Sequence, residues 1–181
     1  QKQNLAGRGK LYAIKIPGIE NTSNKEGLIS TGETFPVEWV RIKDPLAKST
    51  KTKIQGKEAG ASIFNGGEGI IYTRDKDLTT NIFFTCKKGG KSGLGQIWKY
   101  SPSKEKITLF YESDNVNNLW EGDNINITPW GDLIICEDNG SNACKIIGCT
   151  PNGTLYPLGR VAGNSSSEVA GICFSPDGKN M

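Results

Sequence analysis

At 181 residues the chain has room for one sizeable domain or two small ones. Its 22 basic and 19 acidic residues leave a net charge of +3, which points to no strongly charged partner and to no specific nucleic-acid partner. There is no histidine, so His-based triads, imidazole general bases and His-ligated zinc are excluded from this stretch; a metal here must be held by oxygen or cysteine sulfur.

Only 35% of residues are hydrophobic, against 23 glycines and 8 prolines, the balance of a turn-dense β protein. Cys86, Cys136 and Cys173 sit in apolar, strand-like runs and read as buried, reduced hydrophobes. Cys144 and Cys149 could close a local loop. No apolar run approaches the roughly 20 residues needed to span a membrane. The first residues lack the apolar core of a signal peptide, and FSPDGKNM stops straight after a turn signal. The expectation is therefore an internal piece of a longer protein.

In chain order, residues 10–16 (KLYAIKI) and 35–42 (FPVEWVRI) read as strands separated by a polar loop, and 43–58 as a basic connection. At 66–69, Gly-Gly-Glu-Gly lets the backbone approach something closely, although a plain glycine-rich turn with an exposed Glu68 is the alternative. No P-loop lysine follows it. Further strands are expected at 70–73, 81–87, 96–100 and 107–112, with a second glycine-rich loop at 88–95.

Residues 120–140 (WEGDNINITPWGDLIICEDNG) form the most informative stretch. Two apolar runs flank Thr-Pro-Trp-Gly, so a hairpin would bring Asp123, Asn124, Glu137 and Asp138 together at its open end. Crowded carboxylates are costly without a positive charge between them, and a metal ion is the simplest such charge. A surface hairpin with solvated acidic ends is the alternative. The pattern [Ser/Thr]-Pro-x-Gly recurs at Thr128, Thr150 and Ser175, spacings of 22 and 25 residues. Pro presets the first turn position and Gly takes a left-handed one. Residues 145–149, 154–158 and 170–174 read as the accompanying strands. No segment shows helical periodicity over ten or more residues. Short strands joined by encoded turns predict an all-β fold, a β-propeller first and a β-sandwich second.

The order of motifs resembles that of the PhoX-type alkaline phosphatases. The matching pieces are EWVRIKDP (38–45), GxEGxxY (66–72), GGKSGLGQIW (89–98), DNINITPWGDLIICED (123–138), CTPNGTLYPLGR (149–160) and SEVAGICFSPDGK (167–179). The resemblance implies a six-bladed propeller, of which residues 1–181 would be a partial arc cut at both ends. It further implies a channel holding Ca2+ and Fe3+ that hydrolyses small phosphate monoesters, with the metals rather than side chains acting on substrate. By motif, Glu68, Asp123, Glu137 and Glu168 fall at metal-binding positions, with Asn124 and Asp138 adjacent. Arg160 matches an arginine that would contact phosphate. A monomer in the periplasm or outside the cell is the corresponding expectation.

The chain departs from the family pattern at Gly122 (usually Pro), at Gly66-Gly67 (often containing Arg) and at Val169 (usually Phe). An upstream blade with a cysteine ligand is absent, so this piece alone is expected to be inactive. A calcium-dependent lactonase-type propeller and a non-catalytic binding propeller are the competing classes.

Overall fold

Backbone polar groups must be paired as soon as they are buried, and a chain rich in turns does this with short antiparallel ladders. The computed structural model describes residues 9–74, 79–140, 143–162 and 167–181. Strand β1 (Leu11–Lys15) pairs with β3 (Glu38–Ile42). Strands β4 (Gly67–Arg74), β5 (Thr80–Cys86), β6 (Gln96–Ser101) and β7 (Lys106–Glu112) form an up-and-down meander, and β2 (Thr34–Pro36) adds to its outer edge. A second meander follows: β8 (Gly122–Ile127), β9 (Leu133–Glu137), β10 (Lys145–Cys149) and β11 (Leu155–Arg160). The first strands of the two meanders, β4 and β8, touch. The sheets are open and lie side by side like neighbouring blades, so the expected all-β partial arc is what forms.

Alternation along the strands sends side chains to opposite faces of the five-stranded sheet. Trp98, Tyr100, Ile107 and Leu109 pack on one side with Ile16, Ile29 and Val37 from the preceding segment. Phe83 and Ile97 pack on the other with Ile125, Leu133, Ile135 and Ile147 of the second meander. The central sheet is thus covered on both faces, and the second core fixes how the two meanders meet.

All three [Ser/Thr]-Pro-x-Gly stretches close the same turn. Gly131, Gly153 and Gly178 donate their N–H to the carbonyls of Thr128, Thr150 and Ser175 at 3.0, 2.9 and 2.8 Å. Each glycine has positive φ, at 97°, 86° and 70°. Each hydroxyl also accepts a backbone N–H from the far side of its turn, from Asp132, Thr154 and Asn180. The repeat is a covalent-geometry device, as the sequence pattern implied.

Three expectations need correction. Helix α1 (Thr52–Glu58) lies in the connection read as a loop. At seven residues it is too short to show a period, and tertiary contacts hold it. The Gln55 amide bonds both Asp44 and Thr50 carbonyls, and Gly56 is packed against Ile42 and Ala13. Residues 170–174 form no strand, and the Ile172 carbonyl accepts from the Asn126 side chain at 2.8 Å rather than from a ladder. Cys173 is exposed there instead of buried, while Cys86, Cys136, Cys144 and Cys149 are buried free thiols.

Candidate functional site

The sequences that open β4 and β8, Gly67-Glu68-Gly69-Ile70 and Gly122-Asp123-Asn124-Ile125, build the same local structure. In the first meander Gly67 pairs with Cys86 and Ile70 with Phe84; in the second Gly122 pairs with Glu137 and Ile125 with Ile135. Each is a β-bulge with one extra residue on the inner strand, a feature that re-aims side chains. Each follows a residue of positive φ, Gly66 at 69° and Glu121 at 54°. Those residues accept equivalent backbone bonds, Lys87 N–H to the Gly66 carbonyl at 2.7 Å and Asp138 N–H to the Glu121 carbonyl at 3.1 Å. Glu68 and Asp123 are therefore equivalent, as are Lys87 and Asp138.

The bulges also lock the meanders together. Thr85, opposite the first bulge, accepts the Gly69 N–H at 3.0 Å and donates to the Asp123 carbonyl at 2.7 Å. A Cβ on Gly69 would lie 2.5 Å from that carbonyl oxygen, so only glycine permits the approach. Cys136, opposite the second bulge, is a buried free thiol at the position equivalent to Thr85, and the following segment is tied to β8 by the Asn126 amide on the Ile172 carbonyl.

Between the meanders the Lys87 ammonium bonds Asp138 Oδ2 and lies 3.5 Å from Asp123 Oδ2. The side chains are 15%, 25% and 30% exposed for Lys87, Asp123 and Asp138. Burial pulls the ammonium pKa down, but Asp138 and then Asp123 more than reverse this, so it is held above its ordinary value and Lys87 is charged. Alongside, Lys88 Nζ meets Glu121 Oε1 at 2.5 Å.

Glu137 sits next to this group with its side chain 0% exposed. Its Oε1 accepts the Trp120 N–H at 2.7 Å and lies 3.2 Å from Lys145 Nζ; its Oε2 accepts the Lys145 N–H at 3.0 Å and the Asn139 amide at 3.2 Å. Burial pushes its pKa up, against the downward pull of these donors. The carboxylate is committed to holding the ends of β9 and β10 and the loop before β8.

The hairpin thus brings Asp123, Glu137 and Asp138 to one end of the sheet, as read from the sequence, with Lys87 as the cation beside two of them. Asn124 is half-buried within the bulge. Glu68 is exposed one strand away, and Glu168 is exposed in the segment after β11. Arg160 ends β11, the strand farthest from β8 in its sheet, about 14 Å away at ordinary strand spacing. That placement does not bring it to the carboxylates. Lys87 and Thr85 were not singled out from sequence, yet aligning GEGI…TCK with GDNI…CED places Thr85 with Cys136 and Lys87 with Asp138.

Among the described residues no three His, Cys, Asp or Glu side chains stand together as a metal site. The oxygen-rich donor set suits hard cations chemically, but its arrangement here does not fit one: Glu137 is saturated and Asp123 and Asp138 already share an ammonium. A concavity of about 720 Å³ lined by Tyr72, Arg74 and Trp130 lies at the opposite ends of β4 and β8 and contains no carboxylate.

The fold is that of an all-β propeller arc with an acidic residue in the opening bulge of each inner strand. The family model for alkaline phosphatase PhoX matches residues 1–181, and the chain belongs to that family. No curated protein matches it. Among solved structures it is similar to Pseudomonas fluorescens PhoX in complex with vanadate, a transition state analogue, at 17% identity and a TM-score of 0.64. The match covers 97% of this chain and 39% of that chain. At this identity the likeness speaks for the fold.

Proposed function

We propose that the full-length protein containing this chain is an alkaline phosphatase that hydrolyses small phosphate monoesters and depends on calcium and iron. The observation that carries the reading is the family match along all 181 residues. The first bulge supports it, because it leaves Glu68 exposed at the opening of an inner strand. Glu68 and Glu168, both exposed, are the carboxylates of this chain offered as metal donors. The remaining donors lie elsewhere in the full-length protein. Glu137 acts as a positioning residue that holds the strand ends, and no phosphate contact is proposed for Arg160. Residues 1–181 form part of one six-bladed propeller domain in this reading, in a monomer exported from the cytoplasm. Among the described residues no helix is long and apolar enough to cross a membrane.

The test uses the purified full-length protein. Turnover of p-nitrophenyl phosphate that is lost on chelation and restored by calcium, with iron in the isolated protein, is the expected result. Lactone hydrolysis with no phosphatase activity would replace this reading with a lactonase, and neither activity would leave a binding propeller.

A further inference from the structure

The two meanders repeat one another residue for residue at the site, and the repeat exposes one reversal of charge. Where the second meander places Asp138 directly after Glu137, the first places Lys87 directly after Cys86. The two equivalent side chains reach across the junction and bond. The same ammonium faces Asp123, the acidic residue of the second bulge, at 3.5 Å. A metal ion shared by Asp123 and Asp138 would need this space, and with the ammonium still in it would meet strong like-charge repulsion.

We infer that Lys87 is the resident cation of the junction between the two meanders: it neutralises Asp123 and Asp138 from within the chain, and this carboxylate pair takes no metal while Lys87 is in place. The assignment departs from the metal-donor role read for Asp123 and Asp138 in the sequence. It rests on the repeat and on the contact geometry, and it stands whether or not the full-length protein is a phosphatase. An ammonium offers three hydrogen-bond donors and a single charge, enough to bridge two carboxylates without the six to eight oxygens that calcium collects.

Metal content of the full-length protein, measured by equilibrium dialysis against about millimolar calcium and by elemental analysis, tests this. Asp123→Asn in the otherwise unchanged protein is expected to carry the same metal equivalents as wild type; loss of an equivalent overturns the assignment. Lys87→Met is expected to gain one calcium equivalent, which Asp138→Asn in the same protein removes, while Lys87→Arg behaves as wild type. No gain in Lys87→Met, or a gain in Lys87→Arg, also overturns it. If Lys87→Met does not fold, the Asp123→Asn comparison and the charge-preserving Lys87→Arg still decide the matter. A wild-type protein with no metal at all would sink the phosphatase reading while leaving the Lys87→Met comparison intact.

Discussion

Glu137 shows how a carboxylate can stand at the expected place and serve a different end. Its two oxygens take two backbone N–H groups, one amide and one ammonium with no exposure to solvent. Removing one member of a buried charged network strands the others, so Glu137→Ala is expected to cost about 3 kcal/mol, read by urea denaturation. Glu137→Gln does not repair the loss, because its NH2 must face a donor whichever way the amide turns. Burial holds the folded-state pKa above its ordinary value. The corresponding stability is fully present below the ordinary carboxylate value and is lost as pH rises through the raised one. Stability of the wild type should therefore fall across that window with a slope that Glu137→Gln lacks. The sequence announced the acidic strand end but not its burial, since Glu137 faces inward only because Trp120 and Lys145 bring their N–H groups to it.

At the scale of elements, the meanders are joined by close backbone approach as much as by their apolar core. Gly69→Ala would force its methyl against the Asp123 carbonyl at 2.5 Å and the Ile125 nitrogen at 2.8 Å. Neither backbone atom can move without breaking the bulge, so a loss of about 2 kcal/mol is expected, with cooperativity of unfolding reduced. A Gly67→Ala control meets nothing within 4 Å. Most strands were legible because turn residues punctuated them: the run 145–149 is β10 itself, and the Thr-Pro-Trp-Gly and Thr-Pro-Asn-Gly turns fall where Pro and Gly put them. Helix α1 was not legible, because a seven-residue helix has no period to display and depends on Gln55 and Gly56 meeting their partners in space. The missing strand at 170–174 has the converse cause, for an apolar run forms a strand only when another strand is beside it.

For the whole molecule, the family match runs along all 181 residues. The chain spans 39% of the length of the PhoX structure it resembles. Residues 1–181 alone are expected to show no phosphatase turnover under conditions where the full-length protein is active, a comparison made with p-nitrophenyl phosphate at equal molarity. Robust turnover by the isolated stretch would mean that its own carboxylates suffice. The propeller architecture could be read from the sequence through the spacing of its turns. The charge balance of the junction could not, because Lys87 meets Asp138 only after two distant strand ends, 51 positions apart, are brought together by the shared core.

The residues opposite the two bulges differ in what they can hold. Thr85 closes the first with a hydroxyl that both donates and accepts, whereas the second has the buried thiol of Cys136, whose sulfur is a weak hydrogen-bonding group. Native-state hydrogen exchange should register that asymmetry as an order of opening. The Asn124 amide, equivalent to that of Gly69 but facing a thiol position, is expected to exchange before Gly69, held by the hydroxyl, and Cys136→Thr should slow exchange at Asn124 towards the rate at Gly69.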